Sequence, residues 1–123
     1  RRDAWDRLSE QHHIEFISTS FIRGMSFDDA IIIVDEMQNL TFEEIDTVMT
    51  RVGYRSKIIW CGDYRQTDLN KRKNDMSGIL KFFDIAHHMG AFTRIEFTAD
   101  DIVRSSLVKD YILAKMRYED LEK

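Results

Sequence analysis

The stretch Ala30–Glu36, which reads AIIIVDE, joins an apolar run to two adjacent acidic residues. Within it, Ile31–Val34 is continuously apolar and β-branched, a pattern typical of a parallel strand that is covered on both faces. Because adjacent residues at a strand end point to opposite sides, we expect Asp35 and Glu36 to have different roles. In nucleotide hydrolysis, one acid at this place holds Mg²⁺ and the next orients or deprotonates the attacking water. By itself, the string is about equally consistent with an ordinary strand that ends in acids before a turn.

A second polar strand end follows Ile58–Cys61, a short apolar run that reads IIWC. The next five residues are GDYRQ, in which Gly62 suits a tight strand exit, Asp63 supplies a carboxylate and Gln66 an amide. The Gln66 amide donates and accepts hydrogen bonds, which suits contact with a γ-phosphate or a hydrolytic water. The alternative is an ordinary surface glutamine in a polar loop. Because chemistry in parallel sheets lies at the carboxyl ends of the strands, the two polar ends predict one site.

Amphipathic helices separate these strands. The clearest helix start is at Thr41, because Thr41 can cap the helix and Glu44 completes a capping box. We expect this helix to run to Gly53, which would supply a left-handed stop. The remaining predicted helices cover residues 2–11 and 79–86, and the remaining predicted strands are Ile14–Ser18 and Arg94–Phe97. A last helix is predicted to begin near Thr98 or Ser106. It carries these residues on one stripe: Leu107, Tyr111, Ala114 and Tyr118.

The alternation of strands and helices predicts an α/β fold. Its sheet is expected to be largely parallel, in three layers, with about four strands and flanking helices. A length of 123 residues suits one domain, residues 1–123. The sequence contains no membrane-length apolar segment and no signal peptide, and its single cysteine, Cys61, indicates a cytoplasmic location. A net charge of −4 argues against broad, non-specific binding of polyanions.

Five motifs follow one another along the chain in a specific order. They are FIRG (Phe21–Gly24), IIIVDEMQN (Ile31–Asn39), GDYRQTDL (Gly62–Leu69), Ser77-Gly78 and FTADDIVR (Phe97–Arg104). In this order and at similar spacing, they resemble the C-terminal portion of PhoH-like proteins, over roughly Ile14 to Lys115. The resemblance implies a P-loop NTPase domain of RecA-like type, related to the core of superfamily 1 helicases, in a phage or bacterial protein.

The resemblance also implies roles for the residues at the two polar strand ends. ATP and Mg²⁺ would be the ligands and ATP hydrolysis the reaction. Asp35 would bind Mg²⁺, Glu36 would be the catalytic base, and Gln66 would contact the γ-phosphate. Asp63 would shape the same strand exit and belong to the nucleotide-binding set.

Two arginines match motif positions of the family. Arg23 and Arg104 would neutralise phosphate charge, either in their own site or as arginine fingers in a neighbour's site. Salt bridges to nearby aspartates are the alternative for both. Sites of this kind are often completed across subunit interfaces, so a homo-oligomer is a candidate assembly. A basic run, Lys71–Lys73, is a candidate contact for RNA or DNA, although its polar flanks favour a solvated loop.

The chain departs from the family pattern in one respect. It contains no G-x-x-x-x-G-K-[ST] loop, which supplies the backbone N–H groups and the lysine that bind the β- and γ-phosphates. In the family this loop lies N-terminal to the part present here. We therefore expect a segment outside this chain to supply it, and the chain alone to bind ATP weakly without measurable hydrolysis. The alternatives are a nucleic-acid-dependent ATPase of RNA helicase-like or RNA-processing type, and a non-catalytic assembly module.

Overall fold

The computed structural model describes residues 2–63 and 78–122. They fall into two compact units, Arg1–Gly90 and Ala91–Lys123. Among these described residues, no helix is both long and apolar enough to cross a membrane. The helices are α1 (Arg2–Glu10), α2 (Phe42–Met49), α3 (Gly78–His87) and α4 (Ser106–Leu121), and the strands are β1 (Ile31–Val34) and β2 (Lys57–Trp60).

The sheet consists of β1 and β2, which pair in parallel with Ile31 opposite Lys57 and Val34 opposite Trp60. The α/β class and the parallel pairing are therefore confirmed, but the described residues contain two strands instead of about four. The predicted strands Ile14–Ser18 and Arg94–Phe97 are wrong, because neither segment is a strand. Alternating apolar residues predict which face a strand buries, whereas a strand also needs a neighbour for its backbone N–H and C=O groups.

One face of the sheet is exposed, so the expectation that β1 is covered on both faces is also wrong. Ile31 and Ile33 are 72% and 67% exposed, and Ile59 of β2 lies on the same open face. The other face is half-buried and lies towards α3. There the ring centroids of Trp60 and Phe82 lie 4.9 Å apart.

The hydrophobic core lies between α2, α3 and the turn that follows β1. Its most buried side chains are Ile45, Val48, Ile79, Phe82, Met37 and Ile22. The capping box at the start of α2 is confirmed: the Thr41 N–H donates to Glu44 Oε2 at 2.8 Å, and the Glu44 N–H donates to Thr41 Oγ1 at 3.2 Å. The helix predicted over residues 79–86 is confirmed as well, and it turns these apolar residues inwards, where they are buried or half-buried: Ile79, Phe82, Phe83 and Ala86.

Gly53 does not have the predicted role. Helix α2 ends at Met49, and Gly53 lacks the positive φ of a left-handed stop. A Cβ atom at this position would instead lie 2.7 Å from the Phe27 carbonyl oxygen and 2.9 Å from Ser26 Oγ. The glycine is therefore explained by the close approach of two backbone segments.

Side-chain hydrogen bonds join the connections that lead into the two strands. Ser56 Oγ accepts the Ala30 N–H at 3.1 Å and donates to the Phe27 carbonyl at 2.7 Å. Asp29 and Arg55 form an exposed, two-bond ion pair between the same connections. The Arg55 guanidinium lowers the pKa of Asp29 below its ordinary value, and Asp29 raises the pKa of Arg55. These contacts fix the amino ends of β1 and β2 relative to each other.

The second unit contains a short 3₁₀ turn and α4. Thr98 and Asp101 form a capping box around the turn, and α4 begins at Ser106 with Ser105 as its N-cap. The helix predicted to begin near Thr98 or Ser106 is confirmed, and its stripe of Leu107, Tyr111, Ala114 and Tyr118 is exposed. Partly buried side chains lie on a different face, at Lys109, Ile112, Leu113 and Met116.

Candidate functional site

The carboxyl ends of β1 and β2 lie side by side. The Cys61 N–H donates to the Val34 carbonyl at 2.8 Å, and the Met37 N–H donates to the Cys61 carbonyl at 3.0 Å. This second bond ties the turn after β1 to the end of β2. The structure therefore places the two acidic segments, Asp35-Glu36 and Gly62-Asp63, at the same edge of the sheet.

Glu36 has an uncommon backbone conformation at this edge. Its φ of 53° lies in the left-handed region, which few residues other than glycine, asparagine and aspartate adopt. Asp35 Oδ1 accepts the Glu36 N–H at 2.9 Å, so the neighbouring carboxylate holds the turn. Asp29 and Arg55 share the conformation at the other end of the strands, so it does not mark the site by itself.

Gln38 links the two strand ends through its side-chain amide. Its Nε2 donates to Glu36 Oε2 at 2.5 Å, and its Oε1 accepts the Asp63 N–H at 3.1 Å. Only 3% of Gln38 is exposed, whereas Glu36 and Asp63 are both exposed. A buried amide thus connects an acidic side chain after β1 to the backbone after β2.

Gly62 makes room for this amide. A Cβ atom at Gly62 would lie 2.6 Å from Met37 Cγ and 2.7 Å from Gln38 Oε1. Both distances are shorter than real Cβ atoms tolerate, so a side chain here would displace the turn after β1. The predicted tight strand exit at Gly62 therefore has a steric cause.

Asp35 offers an oxygen ligand suited to Mg²⁺. Its side chain is exposed, and the one hydrogen bond given to it by the described residues reaches Oδ1. Mg²⁺ prefers hard oxygen ligands and is commonly held by one or two carboxylates with water and phosphate oxygens. No group of three or more histidine, cysteine or carboxylate side chains with metal-ligand geometry occurs in the described part of the chain. Asp35 is an exposed carboxylate of the type that can supply one oxygen ligand to Mg²⁺.

The two arginines lie in different units. Arg23 precedes Gly24, and its guanidinium lies 3.6 Å from the Glu43 carboxylate, with both side chains more than three-quarters exposed. The partner differs from the aspartates considered above, and so exposed a pair contributes little stability. Arg104 is exposed between the 3₁₀ turn and α4 in the second unit.

Gln66 and the basic run Lys71–Lys73 lie outside the described residues, as does Ser77. Gln38, in contrast, lies inside the IIIVDEMQN motif, but the sequence does not predict a role for it. The available signal is its position between Met37 and Leu40, in a turn whose apolar residues return to the core. That signal predicts a buried turn without showing what the amide contacts.

Comparisons with known proteins agree with the motif order. A family model described as "PhoH-like protein" matches residues 1–116. A PhoH-like protein of Mycobacterium leprae (strain TN) is 36% identical over 114 residues, which cover 93% of this chain and 32% of that protein. A PhoH-like protein of Bacillus subtilis (strain 168) is 36% identical over 112 residues, with 91% and 34% covered. Protein PhoH of Escherichia coli (strain K12) is 32% identical over 95 residues, with 76% and 26% covered.

The chain thus spans about a third of the length of the first two relatives. The family match covers almost all of the chain, including both polar strand ends and Arg104. On this evidence, the chain belongs to the PhoH-like protein family.

Proposed function

We propose that this chain carries the magnesium-binding and water-activating part of an ATPase site. The observation that supports the proposal is the junction of the two polar strand ends, where Gln38 connects Glu36 to Asp63. An ordinary strand that ends in acidic residues before a turn does not need a buried amide to orient one of the carboxylates. Buried polar groups are costly unless paired, so this arrangement favours a functional edge.

Each residue has a distinct role in this proposal. Asp35 would hold Mg²⁺, which neutralises charge on the ATP phosphates when bound. Glu36 would orient the attacking water and accept its proton. Gln66 would contact the γ-phosphate, and Arg23 and Arg104 would neutralise phosphate charge in their own site or in a neighbour's.

A glycine-rich loop that cradles the phosphates would complete such a site. In this proposal, a segment outside residues 1–123 supplies it, because the chain contains no sequence of that pattern. Asp63 would then shape the strand exit that faces this loop. Isothermal titration of the chain alone with Mg²⁺-ATP should give weak binding, and micromolar affinity would contradict this division of the site.

The test uses the complete protein and measures turnover of Mg²⁺-ATP. Glu36→Gln should lower kcat by about 100-fold or more with KM nearly unchanged, because a base acts in the transition state. Asp35→Asn should raise the Mg²⁺ concentration needed for half-maximal turnover. Matched controls are Glu10→Gln and Asp46→Asn, which change exposed carboxylates elsewhere on the surface.

The proposal is wrong if both site variants keep kcat and Mg²⁺ dependence within about twofold of the controls. The same assay with and without single-stranded RNA separates a simple ATPase from a nucleic-acid-dependent one. Strong stimulation by RNA would favour the second.

A further inference from the structure

Gln38 is the one polar or charged side chain that is buried within residues 2–63 and 78–122. It sits in the 3₁₀ turn Met37–Asn39, directly after Glu36. Its neighbour Met37 is equally buried and packs into the core. The turn therefore carries an amide into a place where most proteins have an apolar side chain.

The chemistry of its two partners fixes the orientation of the Gln38 amide. A backbone N–H can only donate a hydrogen bond, and an ionised carboxylate can only accept one. Oε1 must therefore face the Asp63 N–H, and Nε2 must face the Glu36 carboxylate. Rotating the amide by half a turn would place donor against donor and acceptor against acceptor. Each contact thus supports the other.

An exposed glutamate has many side-chain conformers, and fixing it costs conformational entropy. The Gln38 donor at 2.5 Å restricts Glu36 to those conformers that keep Oε2 at the strand end. The body of Gln38 is itself fixed by burial and by the Asp63 N–H. The second oxygen of Glu36 receives no hydrogen bond from the described residues and remains available to a water molecule.

We propose that Gln38 is a positioning residue, which holds the Glu36 carboxylate in the direction required for water activation. This inference rests on the ATPase function proposed above. Gln38 touches no reacting atom in it and acts through Glu36. Since displacement of a reacting group by about 1 Å costs on the order of 100-fold in rate, loss of Gln38 should lower kcat by about 10- to 100-fold.

Two substitutions separate the two contacts of the amide. Gln38→Met keeps the approximate shape of the side chain and removes both hydrogen bonds. Gln38→Glu keeps an acceptor for the Asp63 N–H but removes the donor to Glu36 and places two carboxylates together. We expect both variants to lose kcat with KM changed by less than about threefold. Gln11→Met, in an exposed turn after α1, is the matched control and should behave as the wild type.

The experiment includes Glu36→Gln in the complete protein, so that two failures can be distinguished. If Glu36→Gln leaves turnover intact, the proposed function is wrong and the role of Gln38 is wrong with it. If Glu36→Gln removes turnover while both Gln38 variants keep kcat within about twofold, only the positioning role is wrong. If Gln38→Glu keeps kcat and Gln38→Met does not, the hydrogen bond from the Asp63 N–H is the contact that matters, and the inference is also overturned.

A second measurement does not depend on turnover or on changing a buried residue. Glu36→Ala alters an exposed side chain and releases the Nε2 end of Gln38. If the two contacts support each other, site-resolved hydrogen exchange of the Asp63 amide should become at least about threefold faster. Unchanged exchange would show that the contacts are independent and would overturn the coupling on which the inference depends.

Discussion

Substitution of Gly62 by alanine tests the packing at the junction of the strand ends. Gly62 does not have a positive φ, so its backbone conformation is open to alanine and the contact alone decides the outcome. The added Cβ would lie 2.7 Å from Gln38 Oε1, where ordinary van der Waals contact begins at 3.4 Å. The amide must therefore retreat by about 0.7 Å, the difference between these two distances. Such a shift weakens its hydrogen bonds to Glu36 and Asp63.

The expected free-energy change combines three effects. Overpacking typically costs about 1–3 kcal/mol, and a weakened buried hydrogen bond adds about 1 kcal/mol. Loss of glycine from the unfolded chain offsets about 0.4–1 kcal/mol. The sum predicts that Gly62→Ala lowers the free energy of unfolding by about 1–3.6 kcal/mol.

Urea denaturation monitored by tryptophan fluorescence measures this change, because Trp60 is half-buried against Phe82. Gly90→Ala is the matched control: a Cβ at Gly90 would meet nothing within 4 Å, and its φ is not positive. The control should be neutral or stabilised by up to about 1 kcal/mol. If Gly62→Ala and Gly90→Ala have the same stability within about 0.5 kcal/mol, the close packing of Gly62 on Gln38 is refuted.

Three further predictions concern the first unit. Ile45→Ala should lower the free energy of unfolding, measured in urea, by about 2–5 kcal/mol because the Ile45 side chain is fully buried. Ile33→Ala, at an exposed position, should lower it by less than about 1 kcal/mol. Thr41→Ala removes the N-cap of α2 and should cost about 1 kcal/mol in the same assay, and no loss would contradict the capping role. Arg55 lowers the pKa of Asp29 below 3.8, so their pair stabilises the fold above that pH and loses its effect as pH falls through the lower folded-state value. Asp29→Asn should therefore reduce the thermal midpoint slightly at pH 7 and by less at pH 2, and an equal reduction at both pH values would refute this.

Local signals in the sequence predict local structure well. The capping box at Thr41 and Glu44 is confirmed because its partners lie three residues apart and need nothing from the rest of the chain. The helix predicted over residues 79–86 is confirmed for a similar reason. In these cases the residues that form the contact lie in the pattern itself.

The errors occur where a distant partner decides the structure. Ile14–Ser18 and Arg94–Phe97 alternate like strands, but a strand exists only where another strand accepts its hydrogen bonds. Gly53 is explained by the proximity of residues 26–28, which no helix-stop pattern reveals. The amide of Gln38 belongs to the same class, because its partners come from both strand ends. The proximity of the two polar strand ends was predictable, whereas the buried amide that joins them was not.

The strand β1 has a consequence for how this protein tolerates change. All four of its residues are large and β-branched, so sliding it one place along β2 would exchange one set of apolar side chains for another at little cost in burial. The alignment of the sheet is therefore specified by polar residues beyond the strands, Ser56 at one end and Gln38 at the other. A slip of one residue moves the acidic end by about 3.3 Å, farther than a hydrogen bond can follow. Isoleucine and valine should thus be interchangeable within β1, whereas Ser56 and Gln38, which set the register of the sheet, should not tolerate substitution.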